Sequence, residues 1–194
     1  MTIHFRTTSI FSFKTPRIGL AVEYLKSERL AFSFDYGFAS SWINNFKRHN
    51  IEPEYSFLEL RPEIIFFKKK QKSRYLSSEF FFIDYSKLKQ GGYIIRPPNN
   101  GGDISYDSVK YKKVKYGFHV KLGSKTELNK YFELDMFFGL GFTNRTSEFD
   151  NIIPSVINSI PPETFNQESR GYDGFAPHAT IGLKLGFIAF RQTK

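Results

Sequence analysis

The sequence predicts an all-β protein: an eight-stranded antiparallel up-and-down transmembrane β-barrel with a polar lumen and long loops at one end. Three observations carry that expectation. The first is strict alternation. From 131 to 143 the even positions Phe132, Leu134, Met136, Phe138, Leu140 and Phe142 are large and apolar, against Glu133, Asp135, Gly139 and Gly141. From 178 to 190 the odd positions Ala179, Ile181, Leu183, Leu185, Phe187 and Ala189 oppose His178, Thr180, Gly182, Lys184 and Gly186. Period two over this length is the signature of a strand with one greasy face. The second observation is the placement of glycine. Gly19, Gly37, Gly117, Gly123, Gly139, Gly141, Gly182 and Gly186 all fall on the polar faces, and the interior of a small barrel has little room for side chains. The third is the rhythm of the links, in which short turns alternate with longer connections.

Taken in order, the first segment, 3–13, is the weakest, with Ile3, Phe5, Phe11 and Phe13 against His4, Arg6 and Thr8. Segment 17–26 sets Ile18, Leu20, Val22 and Tyr24 against Gly19, Ala21 and Glu23, and 29–38 sets Leu30, Phe32, Phe34, Tyr36 and Phe38 against Ala31, Ser33, Asp35 and Gly37. In 55–67, Leu58, Leu60, Ile64 and Phe66 oppose Glu59, Arg61 and Glu63. Segment 75–85 divides less cleanly, with Leu76, Phe80 and Phe82 against Ser77, Glu79, Phe81 and Ile83. Segment 112–124 places Val114, Tyr116, Phe118, Val120 and Leu122 opposite Lys113, Lys115, His119 and Lys121. Segments 131–143 and 178–190 complete the set. Turns are expected at Ser27 and Glu28, over 68–74 and over 125–129, and long loops over 39–54, 86–111 and 144–177. The link at Thr15 and Pro16 falls on the long-loop side but is short. Within the last loop, Asp150 is expected to cap a short helix with Pro154 in its first turn, Ile153, Val156, Ile157 and Ile160 on one face, and Pro161 and Pro162 ending it.

Composition narrows the class. The 194 residues are read as one domain, 1–194. No run of 18 apolar residues suits a transmembrane helix, whereas barrel strands are only half apolar. With 23 Phe and 11 Tyr the chain is rich in residues that favour strands and membrane interfaces. Cysteine is absent, which excludes disulfides, thiolate metal sites and cysteine catalysis. Residues 1–17 contain His4, Arg6 and Lys14 and no continuous apolar stretch, so no secretory signal is visible. An outer-membrane protein needs one. The expectation is therefore of a mature form or a misplaced start, with a cytoplasmic protein as the alternative.

Two barrels fit such strands. A soluble lipocalin-like barrel turns the apolar face inward around a small apolar ligand; a membrane barrel turns it toward lipid. Small residues and balanced charge on the polar face favour the second. Glu23, Asp35, Glu59, Glu63, Glu79, Glu133 and Asp135, with Arg61, Lys113, Lys115, Lys121 and Lys184, are then expected to form a polar network in the lumen. Leu30, Phe32, Phe34, Phe132, Leu134, Met136, Phe138, Leu140, Phe142, Ile181, Leu183, Leu185 and Phe187 are expected to face lipid. The lipocalin-type tryptophan near a first strand is missing, since Trp42 is the only one and sits in a loop.

The hairpin IGLAVEYLKSERLAFSFDYGF (18–38), the segment 131–143 and the closing PHATIGLKLGFIAF (177–190) resemble the small eight-stranded outer-membrane barrels of the OmpA/OmpX type, and most of all the outer-membrane barrel families of unknown function. The resemblance implies a cell-outer-membrane location and an aromatic at the end of the last strand as assembly signal. Phe190 matches it, although four residues follow. It also admits lipid-modifying enzymes and proteases with His/Ser or Asp/His groups near the outer rim.

No such set assembles from the sequence. His4, His49, His119 and His178 have no metal-ligand spacing, and His119 and His178 are expected to be hydrogen-bonded lumen residues. Glu59 and Glu63 flanking Arg61 have the form of an acid/base pair, but as lumen residues they are expected to be part of a salt-bridge plug. The run Lys68, Lys69, Lys70, Lys72, Arg74 is one basic turn without a nucleic-acid-binding signature. The net charge of +9 is expected to sit in turns and loops, including Lys47, Arg48, Lys87, Lys89 and Arg96, where cations can meet lipid or lipopolysaccharide phosphates. The expected protein is monomeric and non-enzymatic, without cofactor, metal or nucleic acid, and its external loops bind an extracellular partner.

Overall fold

The computed structural model describes residues 2–5, 18–38, 55–68, 71–95, 104–154, 167–169 and 173–189. They form strands β1 (Thr2–Phe5), β2 (Ile18–Leu25), β3 (Leu30–Phe38), β4 (Ser56–Lys68), β5 (Gln71–Ile95), β6 (Ile104–Glu127), β7 (Phe132–Pro154), β8 (Gln167–Ser169) and β9 (Gly174–Ile188). The architecture is all-β: one up-and-down sheet in the order β4-β3-β2-β1-β9-β7-β6-β5-β8, with β4 paired to β5 as well. Every pairing is antiparallel except that of β8 with β5. All eight longer-paired strands thus have a hydrogen-bonded neighbour on each side, because β1 joins β9 and β4 joins β5.

Local chemistry sets the short turns. Between β2 and β3 the Lys26 amide donates to the Leu30 carbonyl at 2.9 Å, and the Arg29 amide donates to Ser27 Oγ. Between β6 and β7 the Asn129 side-chain oxygen accepts from the amides of Tyr131 (2.8 Å) and Phe132 (3.0 Å), the self-bonding that suits Asn to turns.

Segments expected over 29–38 and 55–67 lie where the alternation places them, the segment over 17–26 does so from Ile18, and the segment over 178–190 is strand through Ile188, with Phe190 outside the described residues. The first is described only over Thr2–Phe5, and positions 6–17, including Phe11 and Phe13, lie outside the described residues. Three strands correct the sequence reading. β5 runs on to Ile95, β6 begins at Ile104 and β7 continues to Pro154, so much of the expected loops 86–111 and 144–177 is paired strand. The expected helix beginning at Asp150 is strand through Pro154: Lys110 pairs Asp150, Ser108 pairs Ile153 and Tyr106 pairs Pro154. Register shifts on either side of Ser108 place one extra residue first on β7 and then on β6, and Asn151 takes a left-handed φ of 52°, a conformation Asn tolerates at a bulge. A cap and a proline mark a helix only where the backbone has no better partner; here β6 supplies one. Val156, Ile157 and Ile160 lie outside the described residues, as do Trp42, Lys47, Arg48 and Arg96.

The long strands invert their polarity partway along. From Phe132 to Phe142 the even side chains of β7 are apolar and mostly exposed; beyond, the same face carries Asn144, Thr146, Glu148 and Asp150. The opposite face carries Asp135, Phe137, Gly139 and Gly141, then Thr143, Arg145 and Ser147, and turns apolar at Phe149. β6 does likewise. Leu122, Val120, Phe118 and Tyr116 are exposed, Lys112 and Lys110 follow on that face, and Tyr111 and Val109 are buried on the other. Tyr106, Val109, Phe149 and Ile152 cluster there, and Tyr111 packs against Tyr85 and Phe149. Lys112 lies opposite Glu148 and Lys110 opposite Asp150, favourable cross-strand charge pairs.

Candidate functional site

Among the described residues, ionisable groups converge on the buried polar face. Arg61 on β4 donates from Nε to Glu59 at 2.6 Å and from Nη1 to Glu79 on β5 at 2.7 Å. Lys121 on β6 bridges Glu79 (2.6 Å) and Glu63 (3.0 Å). Lys184 on β9 reaches Asp35 (3.1 Å) and Glu63 (3.5 Å), and Lys125 on β6 pairs with Glu23 on β2 and lies 3.9 Å from Glu133 on β7. The Ser77 hydroxyl donates to Glu63 at 2.5 Å and the Tyr75 hydroxyl to Asp135 at 2.7 Å. Strands far apart in the sheet order therefore meet through side chains.

Glu59, Glu79, Asp35, Asp135, Lys121 and Lys184 are all nearly or wholly excluded from solvent. Charges so placed lose their hydration and are held only by mutual pairing and hydrogen bonds, so the set stands or falls together. Aromatic faces complete the packing: the ammonium groups of Lys121 and Lys184 lie 4.5 and 5.3 Å from the Phe137 ring centre, and the Arg61 guanidinium 5.2 Å from that of Phe81.

Glycines set the fit by leaving space. Along one cross-strand row Tyr75, Gly123, Phe137 and Gly182 alternate large and small. A methyl group added at Gly123 would run into the Tyr75 ring, and one at Gly182 into the Phe137 ring. The next-but-one row is Glu79, His119, Gly141, His178. With no side chain on Gly141, the two imidazoles meet over it: His119 Nε2 lies 2.7 Å from His178 Nδ1, and His119 Nδ1 lies 3.0 Å from Glu79 Oε1. With both rings neutral, Glu79 accepts from His119 Nδ1, which leaves His119 Nε2 to accept from His178 Nδ1. Phe81 stacks on His119 at 4.6 Å.

Of the twelve residues expected in the network, Glu23, Asp35, Glu59, Arg61, Glu63, Glu79, Lys121, Asp135 and Lys184 are buried and Glu133 is half-buried. Lys113 and Lys115 sit higher on β6, half-buried, beyond the packed cluster and opposite Ser147 and Arg145. On the other face Phe32, Phe34, Phe132, Met136, Phe138, Leu140, Phe142, Ile181 and Phe187 are exposed, whereas Leu30, Leu134, Leu183 and Leu185 are half-buried. Sequence reasoning missed Lys125, assigned to a turn although it shares the parity of Lys121 and Gly123. It missed the bonding of His119 to His178, which lie 59 positions apart, and the roles of Tyr75, Phe81 and Phe137. Lys89, expected in a loop, is buried with its ammonium 4.7 Å from the Tyr111 ring centre.

Among the described residues no group of three or more His, Cys, Asp and Glu side chains is arranged to hold a metal ion. Known protein families, curated proteins and solved structures offer no match to the chain.

Proposed function

We propose that the chain is an integral outer-membrane β-barrel protein of structural or adhesive type. Its eight mutually paired strands close around the ion-pair network, and it resembles the OmpA/OmpX class in kind. The inversion of polarity along β6 and β7 carries this reading. A barrel wholly in water would keep its apolar side inward throughout, as lipocalins do. Here the apolar side is outward over one stretch and inward beyond it, as expected where a strand leaves lipid for water.

The dimensions agree. The outward apolar row runs from Phe132 to Phe142, roughly 34 Å at the rise of a strand and about 25 Å in height at the usual barrel tilt. Tyr24 and Tyr131 are exposed toward the short-turn end of this band, and Tyr36 and Tyr116 toward the other, the positions of interfacial aromatics. Energetics point the same way. Each large apolar side chain left in water forgoes roughly 1.5–3 kcal/mol. A whole face of them forgoes more than the roughly 5–15 kcal/mol by which a domain is stable.

The packed ionic interior leaves no wide channel, and the projecting parts of β5, β6 and β7, with the loops they carry, form the interaction surface toward an extracellular partner. Heat-modifiable gel mobility and a requirement for detergent are the expected behaviour. Recovery of the chain without detergent as a water-soluble monomer would favour the lipocalin-like alternative and end the membrane reading.

A further inference from the structure

We infer that the outer face of β6, β7 and β9 at the short-turn end carries a seat for one anionic glycerophospholipid, its phosphate held by Arg74; this rests on the membrane reading above. One cross-strand row on this face reads Arg74, Ser124, Met136, Leu183, and the next reads Leu76, Leu122, Phe138, Ile181. Ser124 is the one small polar side chain among these large ones, and it leaves a dent. The resulting groove has a volume of about 650 Å³ and is lined by Arg74, Leu122, Ser124, Met136, Ile181 and Leu183. Its walls are among the most exposed apolar groups of the protein, with Ile181 82% and Leu122 65% accessible.

One end of this apolar groove is cationic. Arg74 is exposed and has no carboxylate partner among the described residues. Lys26, Arg29, Lys68 and Lys130 are exposed on the same short-turn end. An apolar trough ending at this guanidinium matches a molecule with hydrocarbon chains and a terminal anion. Arginine holds phosphate oxygens through two parallel charge-assisted hydrogen bonds, while its stem lies along the apolar surface. The occupant is therefore a phospholipid of the leaflet at the short-turn side, with a chain over Ser124 and the phosphate at Arg74.

Native mass spectrometry of the full chain, released from micelles containing phosphatidylglycerol or the matching diacylglycerol, tests this. Wild type should retain one phosphatidylglycerol and no diacylglycerol, and glycerol phosphate in excess should not displace it. Arg74→Gln should lower retention on the order of tenfold or more, the loss of the charge-assisted hold on the phosphate. Ser124→Phe, which fills the dent, should lower it comparably while leaving Arg74 intact. Arg29→Gln, a turn-end cation outside the groove, should change nothing. Equal retention by Arg74→Gln, or an equal loss in Arg29→Gln, would mean diffuse surface charge and overturn the seat. Displacement by glycerol phosphate would mean a headgroup-only site and overturn the role of the groove. A folded, detergent-dependent protein without Arg74-dependent retention removes the seat alone; a water-soluble monomer removes the membrane reading with it.

Discussion

Glu79 accepts from Arg61, Lys121 and His119 at once, so its carboxylate is the point at which three strands are tied. Glu79→Gln keeps the shape but strands two buried cations, and breaking one partner of such a set costs about 3–5 kcal/mol. Urea unfolding in lipid vesicles should show that loss, and a far smaller one for an exposed carboxylate such as Glu28. Space matters as much as charge on this face. Gly182→Leu forces a side chain into the Phe137 ring and should cost about 1–3 kcal/mol by overpacking, whereas the same change at exposed Ser78 should be nearly silent. An unfolding midpoint unchanged by Gly182→Leu would mean that the large-small alternation of this row is not what fits the interior together.

At the scale of the element, the proposed membrane reading makes β7 the strand on which the solvent changes. Leu140 and Thr146 share its outer face, six residues apart, and both are exposed. Arginine at Leu140 should cost roughly 2–4 kcal/mol if that position lies in hydrocarbon, and arginine at Thr146 roughly 0–1 kcal/mol in water. Equal costs would remove the boundary drawn between them. The natural absence of cysteine permits a cleaner probe. A single cysteine at Thr146 should react with a membrane-impermeant maleimide in intact vesicles, and one at Leu140 should not. In the β6–β7 extension the inward cluster of Tyr106, Val109, Tyr111 and Phe149 supplies the apolar packing, because the outer side carries Lys110, Lys112, Glu148 and Asp150.

For the whole molecule, charged and aromatic side chains from strands far apart in the sheet order meet on one buried face, Lys125 with Glu23 and Lys184 with Glu63 among them. In the proposed barrel an interior filled this way leaves no wide aqueous path, so planar-bilayer recordings should show no stable large conductance. A steady conductance of porin size would show that the ion pairs open or that the interior is wider than the side chains require.

Alternation by itself placed the two faces of the strands, because a side chain's side of a sheet is fixed by parity alone. It separated Phe138 from Asp135, put every quoted glycine on the polar side, and found most of the network before any contact was known. It did not find the upper halves of β5, β6 and β7. In β6 and β7 the apolar residues there change parity, and a rule seeking one continuous greasy face reads the change as the end of a strand. The tertiary structure decided what parity cannot: which strand lies beside which, and hence that Gly141 lets His119 reach His178, that Lys125 crosses to Glu23, and that Asp150 meets Lys110 rather than starting a helix. Those pairings join residues tens of positions apart, and nothing in the local sequence measures the distance between them.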